Sequence, residues 1–124
     1  DIRRTIFEKK IAEAIIAEYD GLAAGFAIFF HNFSTFIGKP GIYIEDLYVD
    51  DELRGKGIGR ALFSFIADLA IKRDCAMLEW TVLKWNTPSI RFYEKIGAKN
   101  KEEWFIYRLD KKSLSDTALN KALK

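Results

Sequence analysis

Apolar residues fall in short runs whose spacing changes along the chain, and turn-forming residues separate them. Beyond Gly59, the positions Leu62, Phe65, Ile66 and Leu69 recur at i, i+3, i+4 and i+7. Arg60, Ser64, Asp68 and Lys72 occupy the other face, so the spacing predicts an amphipathic helix. Upstream, residues 11–19 are rich in Ile and Ala and end at Asp20-Gly21, a hairpin signal. Residues 22–31 are apolar almost throughout and read as a central strand, with Gly25 suited to a bulge or a close backbone approach. Residues 1–10 carry Ile2, Ile6 and Phe7 near helical spacing and read as a short helix. Residues 42–49 and 75–83 read as strands. Thr87-Pro88 opens a helix, with Thr87 or Asn86 as N-cap, and Gly97 closes it. Residues 103–109 (EWFIYRL) read as a last strand, and a short polar helix or tail starts at Ser113. The expected class is α+β (α/β), without internal repeats.

Two segments depart from simple alternation. Residues 32–40 are turn-rich yet carry Phe33, Phe36 and Ile37, as a lid, a dimer contact or a local core plug would. Glu45-Asp46 interrupts the apolar run of residues 42–49. Burying unpaired charge is costly, so these carboxylates need edge exposure, basic partners, or a role toward a cationic substrate or as a base.

Composition narrows the choices. With 124 residues the chain is long enough for one domain, residues 1–124, around one core. A net charge of +2 gives no reason to expect nucleic acid or an anionic membrane. The single cysteine, Cys75, excludes an intrachain disulfide framework and a multi-cysteine metal site, and fits a reducing cytoplasm. No apolar run approaches the roughly 18–20 residues of a membrane span. No apolar stretch of the signal-peptide kind follows Asp1-Ile2-Arg3-Arg4. The chain opens without an initiator Met, as a processed, trimmed or incompletely defined chain would. Lone His31 reads as a surface or capping residue. Cys75 has no partner pattern for nucleophilic catalysis, and no metal site is expected.

The chemistry concentrates at Arg54-Gly55-Lys56-Gly57-Ile58-Gly59, between an expected strand and helix. Backbone N–H groups at such a helix opening suit a phosphate or pyrophosphate. The P-loop pattern is absent. The dinucleotide fingerprint also fails, because Arg60 stands where its third glycine belongs. What remains is R-x-x-G-x-G, formed by Arg54, Gly57 and Gly59.

That turn resembles motif A of the GNAT family of N-acetyltransferases, which holds the pyrophosphate of acetyl-coenzyme A. Residues 85–98 (WNTPSIRFYEKIGA) are similar to the family's motif B. The YIEDLYV segment (residues 43–49), FIGK (36–39) and Glu103-Trp104 resemble the spermidine/spermine (diamine) acetyltransferase branch and its thialysine-acetylating relatives. The likeness covers nearly the whole chain from Ile11 to Leu114. It implies a mixed, mostly antiparallel twisted sheet flanked by helices. Family members usually begin with a further strand and helix, expected to be lacking here together with part of the acceptor-site wall.

The resemblance implies transfer of an acetyl group from acetyl-CoA to a primary amine by direct attack. In the family the strand before the turn splays at a bulge, which assigns main-chain cofactor contacts to Leu47, Tyr48 and Val49; further contacts fall to Arg54, Gly55, Lys56, Gly57, Ile58, Gly59 and Arg60, and to Asn86, Ser89 and Tyr93. Tyr93 would protonate the departing thiolate, whereas its spacing alone fits an ordinary half-buried helix aromatic. Glu45, directly or through water, is the candidate base. Glu45, Asp46 and Trp104 would bind the acceptor, although either Trp104 or Trp85 fits a core position, Trp85 more so. A small polyamine, diamine or lysine-like amine is the implied acceptor, and a homodimer the implied assembly. A protein or peptide N-acetyltransferase and a non-catalytic acyl-CoA-binding module are the alternatives.

Overall fold

The computed structural model describes residues 2–6, 12–34 and 37–119. The chain divides into two compact units, Asp1–Leu83 and Lys84–Lys124. The first holds a five-stranded sheet in the order β1 (Ile2–Ile6), β2 (Glu13–Tyr19), β3 (Leu22–Ser34), β4 (Lys39–Val49) and β5 (Leu78–Trp80). The first four strands pair antiparallel, and β5 runs parallel to β4. The helix α1 (Ile58–Lys72) connects β4 to β5.

The β2–β3 hairpin turns at Asp20 (φ 52°) and Gly21 (φ 79°), the two left-handed residues its tight turn requires. One face of the sheet forms the core. Ile15, Ala27, Phe29 and Ile42 are fully buried there, and α1 packs against β2, β3 and β4 with its own Leu62 and Ile66 fully buried. Burying each of the larger side chains contributes about 1.5–3 kcal/mol. The Phe63 ring of α1 lies edge-on to Trp80 of β5, with centroids 4.8 Å apart. Gly25 does mark a close approach: a Cβ there would stand 2.6 Å from the Tyr48 carbonyl oxygen and 3.3 Å from the Val49 Cα. Glu13 is the buried charge of this core, and Arg73 grips both its carboxylate oxygens, Nη2 to Oε1 at 2.9 Å. That carboxylate raises the Arg73 pKa above its ordinary value.

Several expected elements differ. Residues 2–6 form a strand rather than a helix, while Phe7 to Ile11 lie outside the described residues. Apolar residues four apart fit either period, and pairing from Ile2↔Ala17 to Ile6↔Glu13 decides the matter. The turn-rich stretch 32–40 is mostly ladder, because Asn32↔Gly41, Phe33↔Pro40 and Ser34↔Lys39 continue the β3–β4 pairing. Phe36 lies outside the described residues, and Phe33 and Ile37 are exposed. Of residues 75–83 only Leu78–Trp80 form a strand.

The second unit contains α2 (Thr87–Lys95) and α3 (Lys111–Leu119). Asn86 caps α2, its Oδ1 accepting from the Ser89 N–H at 3.4 Å, and Gly97 (φ 94°) ends it as expected. Asp110 caps α3 by accepting from the Ser113 N–H at 2.8 Å, which lowers its own pKa. Residues 103–109 form no strand. Their aromatic composition favours pleated backbone, but a strand needs a paired neighbour, and Trp104, Phe105 and Tyr107 are exposed instead. Trp85 is exposed too, not part of a core.

Candidate active site

The register places Ile28 opposite Asp46 but Phe29 opposite Ile44, so Glu45 is an extra residue on β4. This bulge reverses the alternation of the strand. Before it, Ile42 and Ile44 point into the core; after it, Val49 does so, its Cγ2 lying 3.7 Å from where a Cβ on Gly59 would stand. Tyr43, Asp46 and Tyr48 therefore share the opposite face. Their β3 neighbours confirm this, since Phe30 meets Tyr43 and Phe26 meets Tyr48 with ring centroids 5.3 and 5.8 Å apart. Glu45 and Asp46 are both exposed.

The main chain switches sides at the same point. Ile42 donates its N–H to Met77 on the β5 side (3.0 Å), whereas Asp50 donates to Ala24 on β3 (2.8 Å). Antiparallel strands alternate bonded and non-bonded pairs. After the bulge it is therefore Leu47 and Val49 whose N–H and C=O groups turn away from β3, and Tyr48 whose groups face it. The β4–β5 ladder covers only Ile42 to Ile44. The two strands part company at Glu45, leaving Leu47 and Val49 to offer their main chain along the opened edge.

Beyond Val49 the chain makes a short 3-10 turn, Asp51–Leu53, capped by Asp50. Gly55 (φ 82°) and Gly57 (φ 80°) then adopt left-handed backbone that other residues enter at a cost. Gly57 is the N-cap of α1 and supplies no side-chain cap. The opening N–H groups of Ile58, Gly59 and Arg60 have no carbonyl one turn earlier in the helix to bond. A Cβ on Gly55 or Gly57 would meet nothing within 4 Å, so the turn is a bare cradle of backbone. That suits an anion such as a pyrophosphate. Of the basic side chains beside it, Arg54 pairs with Asp51 at 2.9 Å and Lys56 lies over the Tyr19 ring at 5.6 Å.

Asn86, Ser89, Tyr93 and Trp104 belong to the second unit. Tyr93 is half-buried, and burial pushes its hydroxyl pKa up, a hydrogen bond to Ser89 partly opposing this. Its ring lies edge-on to Phe92 at 5.8 Å. Trp104 is 71% exposed. His31 is exposed, with Nε2 at 3.2 Å from the Arg73 guanidinium. Cys75 is a free, half-buried thiol whose pKa burial raises. Nothing in the sequence spacing singles out Glu79, which the sheet sets opposite Tyr43; only strand register reveals it.

The Acetyltransferase (GNAT) family model matches residues 2–98. The chain is 41% identical over 90 residues to L-ornithine N5-acetyltransferase NATA1 of Arabidopsis thaliana, spanning 73% of this chain but 40% of that protein. It is 34% identical over 110 residues to the thialysine N-epsilon-acetyltransferase of Caenorhabditis elegans, covering 86% of this chain and 68% of the other. An integron cassette protein from the mobile metagenome of V. cholerae superposes with a TM-score of 0.81 at 32% identity, over 90% of this chain and 69% of that one. Sequence and fold agree: the chain belongs to the Acetyltransferase (GNAT) family.

Proposed function

We propose that this chain carries the donor cradle and the acceptor carboxylates of an acetyl-CoA-dependent N-acetyltransferase for small primary amines. The observation that carries the reading is the Glu45 bulge, set where β4 leaves β5. It puts a carboxylate beside main-chain donors, which is what amine attack on a thioester requires. Acetyl-CoA, the donor that family membership implies, supplies the electrophilic thioester carbon when bound.

The N–H groups of Ile58, Gly59 and Arg60, with the dipole of α1, hold the pyrophosphate. Gly55 and Gly57 let the backbone come close, and Arg54 and Lys56 add positive charge at its border. The Leu47 and Val49 main chain binds the acyl oxygen and the pantetheine arm, with Tyr48 between them. Fixed donors aimed at a growing negative charge are often the largest catalytic term. An amine with a pKa of about 10.4 arrives as an ammonium. Glu45, directly or through water, takes its proton, and Asp46 attracts the cation. Tyr93 gives a proton to the departing sulfur; its raised pKa keeps the hydroxyl protonated at neutral pH. Asn86 and Ser89 support the donor, and Trp104 lines the acceptor side.

The acceptor class rests on the relatives, whose names specify ornithine and thialysine as substrates. Diamines, polyamines and lysine-like amines share the primary ammonium of both. The family match runs from residue 2 to residue 98, across both compact units, which supports reading 1–124 as one acetyltransferase domain. The exposed aromatic run at Trp104, Phe105 and Tyr107 supports a homodimer, checked by light scattering. The free thiol of Cys75 fits a reducing, cytoplasmic setting.

Thiol release from acetyl-CoA, measured against ornithine, lysine, thialysine, putrescine and spermidine, tests the function. Turnover with at least one of these amines is the expected result. Tight acetyl-CoA binding without turnover of any amine would favour a non-catalytic acyl-CoA-binding module instead.

A further inference from the structure

On the sheet face away from α1, three strands bring Phe30, Tyr43 and Glu79 into one row. Tyr43 is the cross-strand partner of both Phe30 on β3 and Glu79 on β5. The Phe30 and Tyr43 rings lie 5.3 Å apart, tilted by 36°. Glu79 is half-buried. Its carboxylate has a donor from two strands away: Asn32 Nδ2 reaches Glu79 Oε1 across β4 at 3.5 Å.

That reach depends on Gly41, which stands opposite Asn32 on the intervening strand. A Cβ on Gly41 would sit 2.5 Å from Asn32 Oδ1 and 3.3 Å from the Met77 carbonyl oxygen. Any side chain at 41 would push the asparagine off its line to Glu79. The sheet thus keeps a gap in β4 through which Asn32 on β3 reaches the Glu79 carboxylate, on the strand beside Tyr43. A carboxylate with an aromatic side chain on the neighbouring strand suits an ammonium group. Glu45 lies two residues beyond Tyr43 on β4. Strand rise and strand spacing put the Glu45 and Glu79 Cα atoms about 8 Å apart.

We propose that Glu79, positioned by Asn32 through the Gly41 gap, is a specificity residue that receives a second ammonium of the acceptor. The first ammonium is the one that Glu45 deprotonates. Among the amines already proposed as acceptors, Glu79 selects those whose two ammonium groups are separated by a short carbon chain over a monoamine. This rests on the acetyltransferase reading and sharpens it.

The test compares 1,4-diaminobutane with butylamine for the full chain and for Glu79→Gln. The expected result is a fall of about tenfold or more in the ratio of their kcat/KM values, carried by KM for the diamine, as removal of a charged partner implies. Glu79→Asp, which keeps the charge, should recover part of the preference. An unchanged ratio in Glu79→Gln, with the melting temperature unchanged, would overturn the assignment. Amide NMR shifts on titration with 1,4-diaminobutane need no turnover and keep the two readings apart. Shifts at Tyr43 and Glu79 that vanish in Glu79→Gln support the subsite even where thiol release fails. Equal shifts in both proteins contradict it even where thiol release succeeds.

Discussion

Replacing Gly25 by alanine tests whether the strand that carries Glu45 is held as described. The added Cβ would stand 2.6 Å from the Tyr48 carbonyl oxygen and 3.3 Å from the Val49 Cα, both backbone atoms at the Val49 end of the β3–β4 ladder. Neither can swing aside as a side-chain tip can, so the two strands must separate locally. Overpacking of this kind costs about 1–3 kcal/mol. The lower entropy of the unfolded alanine chain returns about 0.4–1 kcal/mol. The net loss is then about 1–2 kcal/mol, or a fall in melting temperature of roughly 4–8 °C for a chain of this size. Gly59→Ala is the matched control. Its Cβ would meet only the Val49 Cγ2 at 3.7 Å, an ordinary contact, and its backbone is helical. Alanine there should raise stability by up to about 1 kcal/mol. Thermal melts followed by circular dichroism read both variants. Because Leu47 and Val49 sit on the displaced strand, Gly25→Ala should also weaken acetyl-CoA binding. A Gly25→Ala protein as stable as the parent would refute the close approach of the two strands.

Two side chains, Arg73 and Tyr93, give further outcomes. Arg73→Leu leaves the Glu13 carboxylate buried without its bidentate partner and should cost about 3 kcal/mol, the lower end for a broken buried pair because Arg73 keeps some exposure; Glu13→Leu with Arg73→Leu should recover much of it in denaturant melts. Tyr93→Phe should lower kcat by about a hundredfold if the hydroxyl is the proton donor, without moving the acetyl-CoA dissociation constant by a similar factor. The raised pKa of Tyr93 also has a stability sign: the folded state holds this proton more tightly, so its contribution is complete below pH 10 and is lost as pH rises through the folded pKa. Melting temperature should therefore drop more steeply above pH 10 in the parent than in Tyr93→Phe.

What the sequence made legible was local. The apolar repeat of α1, the Asp20-Gly21 hairpin, and the Asn86, Pro88 and Gly97 signals around α2 each act through residues a few positions apart, and each element stands where its signals put it. The glycine turn was legible too, because the left-handed backbone of Gly55 and Gly57 leaves a residue-level signature. Strand assignments were weaker wherever a distant partner decides them. Ile2 and Ile6 fit a helix or a strand until β2 pairs with them, and the aromatic run at 103–109 looked like a strand with no partner to make it one. The sequence flagged Glu45 and Asp46 as carboxylates in an apolar run, and the family resemblance implied a bulge in this strand, but neither gave Glu45 as the extra residue that turns the Leu47 and Val49 main chain away from β3. That bulge is a mismatch between two strands and is written in neither alone. The line from Asn32 over Gly41 to Glu79 crosses 47 positions of sequence and depends on three strands in register.

The most direct test of the account is thiol release from acetyl-CoA with ornithine and 1,4-diaminobutane, for the parent chain and for Glu45→Gln. The account expects turnover in the parent and a loss of about a hundredfold or more in kcat in the variant, since a positioned base contributes on that order. Acetyl-CoA binding should stay unchanged, because the cradle lies in the glycine turn. Glu45→Gln turning over at the parent's rate would contradict the assignment of the bulge carboxylate as the base.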